Sequence, residues 1–351
     1  MTTGGGRHRS ARLDAEYVVP LKWSTDGDAQ EFGEYLRGIA DIVDITVVDG
    51  SDDVPFDRHQ AQWRGKVRHV RPEPWPGRNG KVAGVVTGMR YARHATVVLA
   101  DDDVRWTASQ LADAIDRFDR SGADVLRPQN YFAPLPWHAR WDTARSLLNR
   151  AAGSDHPGTY LMRRSTFLQM GGYDGDVLFE NLQMVRTVRA AGGIEHRAPD
   201  LFVARRPPTT TGFLGQRVRQ AYDDFAQPGR LALELSVLPL LSAMAARRRG
   251  ALAVAAGLAI AAAEMGRRRH GGTRVFRRSA ALWAPLWLAE RSICVWLAVV
   301  ERARGGVRYR GTRLEAAATR PTLGPPLSPL PVDTRASGSH AAAFRVMENA
   351  S

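Results

Sequence analysis

A single cysteine, Cys294, leaves the chain with no internal disulfide and no cysteine-rich metal centre. A lone thiol fits a reducing compartment. No stretch carries zinc-ligand spacing and none has the aromatic signature of an RNA-binding surface, so no nucleic-acid partner is expected. The N-terminus, MTTGGGRHRSARL, is basic but no apolar stretch follows it, so it does not read as a secretory leader. The catalytic part is therefore expected to face the cytoplasm. Acidic residues are also scarce: 36 Asp and Glu stand against 49 Lys and Arg in 351 residues, a formal net charge of +13. Such a surplus suits a polyanionic partner. Much of it lies after residue 229, in Arg247–Arg249, Arg267–Arg269, Arg277–Arg278 and Arg302 to Arg313. These clusters bracket apolar runs, which favours anionic membrane lipids over a nucleic-acid groove.

What remains is ordinary globular composition, 44% apolar and 24% charged, in a chain long enough for one large α/β domain and an appendage. Short β-rich runs alternate with amphipathic segments up to about residue 130. The strand candidates are Tyr17-Val18-Val19, Ile45 to Val48, Val67 to Val70, Thr96 to Leu99 and Asp124-Val125-Leu126. After Thr107, a plausible N-cap, Leu111, Ala114, Ile115 and Phe118 share one helical face, and Gly122 ends the helix. Val177 to Ala191 reads as another helix, stopped by Gly192-Gly193. The alternation predicts an α/β fold with a mainly parallel central sheet and helices on both faces. Past Gln227-Pro228-Gly229 come three apolar runs, Leu231–Ala246, Ala251–Met265 and Ala280–Val300, carrying Glu234, Glu264 and the pair Glu290-Arg291. The first two fall short of the ~20 residues a spanning helix needs. The expected layout is a flexible basic leader over 1–14, a catalytic domain over 15–228, hydrophobic membrane-associated helices over 229–314, and a disordered Ala, Pro, Thr and Ser-rich tail over 315–351.

Two predicted strands end in acidic clusters, Asp49-Gly50-Ser51-Asp52-Asp53 and Asp101-Asp102-Asp103. Ligands of such sheets bind beyond the C-terminal ends of the strands. Adjacent carboxylates repel unless a cation compensates them, and Mg²⁺ or Mn²⁺ takes oxygen ligands and bridges carboxylates to phosphates. Asp101 and Asp103 point to one side of an extended segment, which allows both to face one ion. A solvated acidic turn is the alternative for the triplet taken alone.

The stretch GKVAGVVTGMRYARHATVVLADDDV resembles the nucleotide-binding core of the family 2 glycosyltransferases, in which a Gly-Lys, a helix with small residues, a hydrophobic strand and a D-x-D follow in that order. VVPLKW and ITVVDGSD are similar to that family's first two strands, MRRSTFLQMGGYDGDVLFENLQMVRTVRAAGG to its acceptor-side stretch, and Gln216 to Gln220 to Q-x-x-R-W with the Trp replaced. The resemblance spans roughly residues 16–225. It implies the Rossmann-like GT-A fold and an inverting, metal-dependent transfer of sugar from a nucleotide-diphosphate donor, with a UDP-sugar as the first choice. The acceptor implied is a lipid-linked or envelope glycan at the cytoplasmic membrane.

It also implies roles. Pro20 and Asp49 would sit by the nucleotide base, Lys81 would hold the nucleotide half, and Asp101 would reach the ribose or the metal. Asp103 would be the main ligand of Mg²⁺ or Mn²⁺, and Gln216 and Arg219 would face the diphosphate or acceptor. The family's usual Glu-Asp pair is here Glu180-Asn181. An amide cannot accept the acceptor proton, so Glu180 becomes the expected base, against the reading that it is only a helix-start charge. His156 could touch the acceptor or merely form a turn, and Trp283, Trp287 and Trp296 could form an interfacial belt or pack internally. A nucleotidyltransferase, a D-x-D phosphatase and a catalytically inactive membrane-associated scaffold are the competing readings.

Overall fold

The structure, a computed structural model, describes residues 12–24, 29–153, 155–247 and 249–331. The first eleven residues of the expected leader lie outside the described residues, as do positions 332–351 of the expected tail. In chain order the elements are β1 (Ala15–Leu21), α1 (Ala29–Ala40), β2 (Asp44–Asp49), α2 (Asp53–Trp63), β3 (Arg68–Val70), α3 (Gly80–Tyr91), β4 (Thr96–Ala100), β5 (Val104–Arg105), α4 (Ala108–Ser121), β6 (Val125–Phe132) and α5 (Trp137–Ala152). There follow β7 (Thr159–Arg163), α6 (Arg164–Gln169), α7 (Glu180–Ala190), β8 (Glu195–Arg205), α8 (Thr210–Tyr222), α9 (Pro228–Arg247), α10 (Arg249–Arg268), α11 (Ala284–Ala303), β9 (Val307–Tyr309) and β10 (Thr312–Leu314).

Eight strands form one sheet in the order β3-β2-β1-β4-β7-β6-β8-β5. β1 pairs in parallel with both β2 and β4, whereas β7 runs antiparallel to β4 and β6. β1 is almost wholly buried, as its unbroken AEYVVP run requires of a central strand. The chain winds outward from β1 through β2 to β3, then returns to β4 on the other side of β1. That reversal opens a crevice at the C-terminal ends of β1 and β4, where Pro20 and Asp101 sit. The Thr107 cap is present as a capping box with Gln110, and Leu111, Ala114, Ile115 and Phe118 are all buried.

Helix α3 lies unusually close to the sheet. A Cβ on Gly84 would stand 2.8 Å from Pro20, and one on Gly88 only 2.3 Å from Val18. The small residues of GKVAGVVTG thus set the helix height over β1, and with it the position of Lys81 in the first turn.

The three apolar runs form α9, α10 and α11, each 20 residues long. The first two runs are therefore not too short: flanking residues extend them, and all three helices are long and apolar enough to cross a membrane. The charges inside α9 and α11 are paired with the catalytic domain or with each other, and Glu264 of α10 pairs with Arg267 and Arg268 of its own helix. Glu290 pairs with Arg217 of α8 at 2.8 Å, and Arg291 and Arg230 approach Asp224 and Glu234. Arg150 of α5, fully buried, donates to the carbonyls of Gly266 and Arg269. Trp287 is buried and Trp283 stacks on Trp141, so of the expected tryptophan belt only Trp296 is well exposed.

Two sequence expectations fail at one place. Helix α7 begins at Glu180 rather than Val177, and residues 315–331 are not a loose tail. The reason is shared. Leu178 and Phe179 donate backbone hydrogen bonds to Ala316 and Ala317, at 2.9 and 2.8 Å, so Val177–Phe179 is held extended by the C-terminal segment. Farther along, Gly324 and Leu327 donate to Met170 and Leu168, and the Thr319 hydroxyl donates to Asp174 at 2.7 Å. The segment is a strap across the loop that precedes Glu180. At its tightest point Gly171 has φ +77°, and a Cβ there would meet the Gly324 backbone at 2.5 Å. Gly171→Ala should destabilise the fold by about 1–3 kcal/mol through left-handed strain and this clash. Urea unfolding measures the loss, and limited proteolysis should show residues 315–331 cleaved earlier than in the wild type.

Candidate active site

The crevice at the switch point is a cleft of about 720 Å³. One wall carries Pro20, Gly50, Pro72 and Trp75; the floor carries Lys81 and Asp101 to Asp103; the far wall carries Glu180, Asn181, Gln216, Arg219 and Asp223. The β9–β10 hairpin closes one side with Tyr309, whose ring lies 5.2 Å from the Arg219 guanidinium.

Lys81 is the central cation. Its Nζ lies 2.5 Å from Asp101 Oδ1 and 2.6 Å from Glu180 Oε1. Burial opposes its charge, but Asp101 and then Glu180 outweigh that penalty and hold its pKa well above the ordinary lysine value. The helix bearing it is capped by Asn79, whose side chain accepts from the Lys81 amide and donates to the Val177 carbonyl. One amide thus fixes both the start of α3 and the chain leading to Glu180.

The acidic triplet is differentiated by its partners. Asp102 accepts from the Trp23 indole. Asp103 Oδ2 accepts from Arg205 Nε at 2.7 Å, whereas its Oδ1 is buried with no hydrogen-bond partner among the described residues. Burial pushes the Asp103 carboxyl up to about 6; Arg205 pulls it down, while Asp101 and Asp102 add repulsion. A buried carboxylate oxygen without a partner, beside two further carboxylates, is a donor set that fits a hard divalent cation. Asp101 and Asp103 are the residues that would hold it.

Asp49 lies behind the cleft lining rather than in it. It is fully buried, and the cleft wall beside it is made by Val48 and Gly50. Its Oδ1 accepts from the Ser51 amide, and its Oδ2 from His59 and His69 at 2.6 and 3.0 Å. Burial raises its proton affinity, but the hydrogen bonds from His69, Ser51 and His59 prevail and hold it well below the usual carboxylate range. The carboxylate shapes the Gly50–Ser51 turn from behind the wall. Asp49, His59 and His69 offer ligand atoms within 4.8 Å of one another, a set that could hold an ion. Two imidazoles converging on one carboxylate oxygen are accounted for by hydrogen bonding, and the set is closed off from the cleft.

The remaining expected residues are brought together. Pro20, Lys81, Asp101, Asp103, Glu180, Gln216 and Arg219 all line the cleft. The Asn181 amide lies 3.4 Å from the Pro157 carbonyl. His156 also lines it, but burial, reinforced by the charge of Arg127, drives its pKa down to about 3, so it is a neutral wall residue. Arg205 and Asp223 were not anticipated. Arg205 ends a strand, beside the sheet edge where ligands gather. Asp223 lies seven residues after Gln216, and that helical spacing returns it to the face that presents Gln216, Arg219 and Gln220.

Residues 39–177 match the model of glycosyl transferase family 2. That segment, about two fifths of the chain, is similar to a family 2 glycosyltransferase domain. The match includes Lys81 and Asp101 to Asp103, whereas Pro20 lies before it and Glu180, Arg205, Arg219 and Asp223 lie beyond it. Among solved structures the chain is similar to a mannosyltransferase from Pyrobaculum calidifontis in complex with GDP-Man and Mn²⁺, with TM-score 0.51 and 19% identity over 82% of this chain and 88% of that one. At that identity the likeness shows the GT-A fold alone. A second structure, described as a mycobacterial protein, matches with TM-score 0.40 and 16% identity, covering 58% of this chain and 71% of that one. No curated protein matches.

The pairing of Lys81 with two carboxylates has a measurable consequence. Lys81→Met should leave Asp101 and Glu180 facing each other without a cation, lowering stability at pH 8 by roughly 2 kcal/mol, less than for a fully enclosed pair. Urea denaturation at pH 8 reads it.

Proposed function

We propose that the catalytic domain is an inverting, metal-dependent transferase that moves a sugar from a nucleoside-diphosphate donor to a lipid-linked or otherwise amphipathic acceptor at the cytoplasmic face of a membrane. The observation that carries the reading is the convergence, at one switch-point cleft, of Asp101, Asp103 and Lys81 on the floor with Arg219 and Gln216 across from them.

The nucleoside would lie against Pro20, Gly50 and Pro72, with the diphosphate over the acidic triplet. A divalent ion held by Asp101 and Asp103 would neutralise charge on the leaving diphosphate. Arg219, whose guanidinium is fixed over Tyr309, and Arg205, beside Asp103, would add positive charge where the leaving group develops negative charge. Glu180 and Asn181, at the N-terminus of α7, face the space left for the acceptor. With Mn²⁺ in a complex of a fold relative, Mn²⁺ and Mg²⁺ are both natural first choices, and GDP-sugars join UDP-sugars as donors to test.

Helices α9 to α11 support a membrane site of a particular kind. Charged residues of α9 and α11 pair with Arg217 and Asp224 of the catalytic domain, while Leu233, Leu240, Val254, Leu258, Ile293 and Leu297 are exposed. A helix whose middle is ion-paired to a water-soluble domain fits better in the plane of the interface than across the bilayer. The arginine clusters would then meet anionic headgroups.

Two experiments test these readings. Asp103→Ala should abolish transfer and remove the Mn²⁺-dependent part of sugar-nucleotide binding in calorimetry, with an unchanged unfolding transition; metal-dependent binding that survives the substitution would sink the assignment. For the membrane site, the full-length protein should stay on anionic vesicles in high salt, because apolar burial dominates, and should leave with mild detergent. Labelling of the loops on the far side of sealed vesicles would instead establish spanning helices.

A further inference from the structure

Glu180 is the expected proton acceptor, and the structure gives it another occupation. Its carboxylate is 2.6 Å from the Lys81 ammonium, and it is 9% exposed. Taking a proton from the acceptor would cost Glu180 its ion pair with Lys81. Asn181 cannot accept a proton at all. The family's usual base position is therefore filled by a lysine partner followed by an amide.

A different carboxylate faces the same space. Asp223 caps α8, on the face that also presents Gln216, Arg219 and Gln220 to the cleft. The helix end is held from behind: the hydroxyl of the adjacent Tyr222 donates to the Glu315 carbonyl at 2.6 Å, which ties Asp223 to the strap. Asp223 Oδ1 is buried and has no hydrogen-bond partner among the described residues. The charged groups around it are Glu180, Arg291, Arg219 and Arg145. None of the three arginines forms an ion pair with it among the described residues.

We propose that Asp223 is the general base of the transfer, taking the place of the missing aspartate at position 181. This rests on the glycosyl-transfer reading above. In the step, the acceptor oxygen attacks the anomeric carbon and its proton passes to Asp223. The bond from that carbon to the diphosphate oxygen breaks, and its electron pair leaves with the nucleoside diphosphate. Glu180 serves as a positioning residue, holding Lys81 against Asp101. Burial, with repulsion from Glu180 as the next cause, raises the Asp223 carboxyl to about 7, against the pull of Arg291, Arg219 and Arg145. A base with that proton affinity works best near neutral pH.

The test uses the full-length protein with Mn²⁺, a total membrane lipid extract as acceptor, and labelled UDP-glucose, UDP-galactose or GDP-mannose. With whichever donor the wild type turns over, kcat/KM should rise with pH through about 7 and then level off. Asp223→Asn should lower kcat by roughly 10²–10⁴-fold, flatten that rise, and leave calorimetric sugar-nucleotide affinity within about threefold. Asp223→Ser should do the same and serves if the asparagine variant unfolds. Glu180→Gln should instead weaken donor binding while keeping the rise near pH 7. Near-normal turnover by both Asp223 variants, or loss of the rise in Glu180→Gln but not in Asp223→Asn, would overturn the assignment while leaving glycosyl transfer intact. A wild type that neither binds nor transfers from any of the donors would bring down the transfer reading, and the role of Asp223 with it.

Discussion

The two halves of the active site meet through one ammonium group. Asp101 follows the end of β4, and Glu180 opens α7 on another side of the cleft. Lys81 touches both. It can do so only because α3 lies against β1 at a height set by Gly84 and Gly88, and because Asn79 ties the first turn of that helix to Val177. A side chain at either glycine would lift the helix and carry the cation out of reach. Packing of small residues thus controls electrostatics about a turn of helix away.

The parts of this arrangement legible in the sequence are those decided locally. An acidic triplet directly after a strand, a lysine in the first turn of a helix of small residues and the Thr107 cap are local features, and the structure has Asp101 to Asp103 just past β4, Lys81 opening α3 and Thr107 in a capping box. The setting of Asp49 is not local, because it is held by His59 and His69, residues of other elements whose convergence no spacing announces. The start of α7 was misread for a related reason. Val177–Phe179 has helical periodicity, but pairing with Ala316 and Ala317 holds it extended. Composition alone suggested disorder for a Pro-rich segment whose backbone is in fact satisfied by the loop it crosses.

The charges within the apolar runs illustrate the same limit. Glu290 and Arg291 in the middle of a 20-residue hydrophobic helix look like an obstacle to any membrane role. In three dimensions they are a means of attachment, engaging Arg217 and Asp224 of the catalytic domain, while Arg291 also reaches Glu234 of α9. The helical layer is therefore turned with its polar stripe inward and its leucines outward. The buried ion pairs contribute orientation more than net stability, since their desolvation offsets much of the attraction.

The strap has a bearing on how the enzyme comes into being. Synthesis runs from the N-terminus, and the sheet with its D-x-D can assemble while the rest of the chain is still being made. The loop at 168–179 emerges well over a hundred residues ahead of the segment that clamps it, so it must wait, without its backbone partners, through the making of all three apolar helices. Its last contacts form only after those helices have appeared. A nascent or C-terminally clipped chain could thus be folded in its nucleotide half and still be incomplete where the acceptor enters, which would couple the onset of turnover to the arrival of the apolar layer.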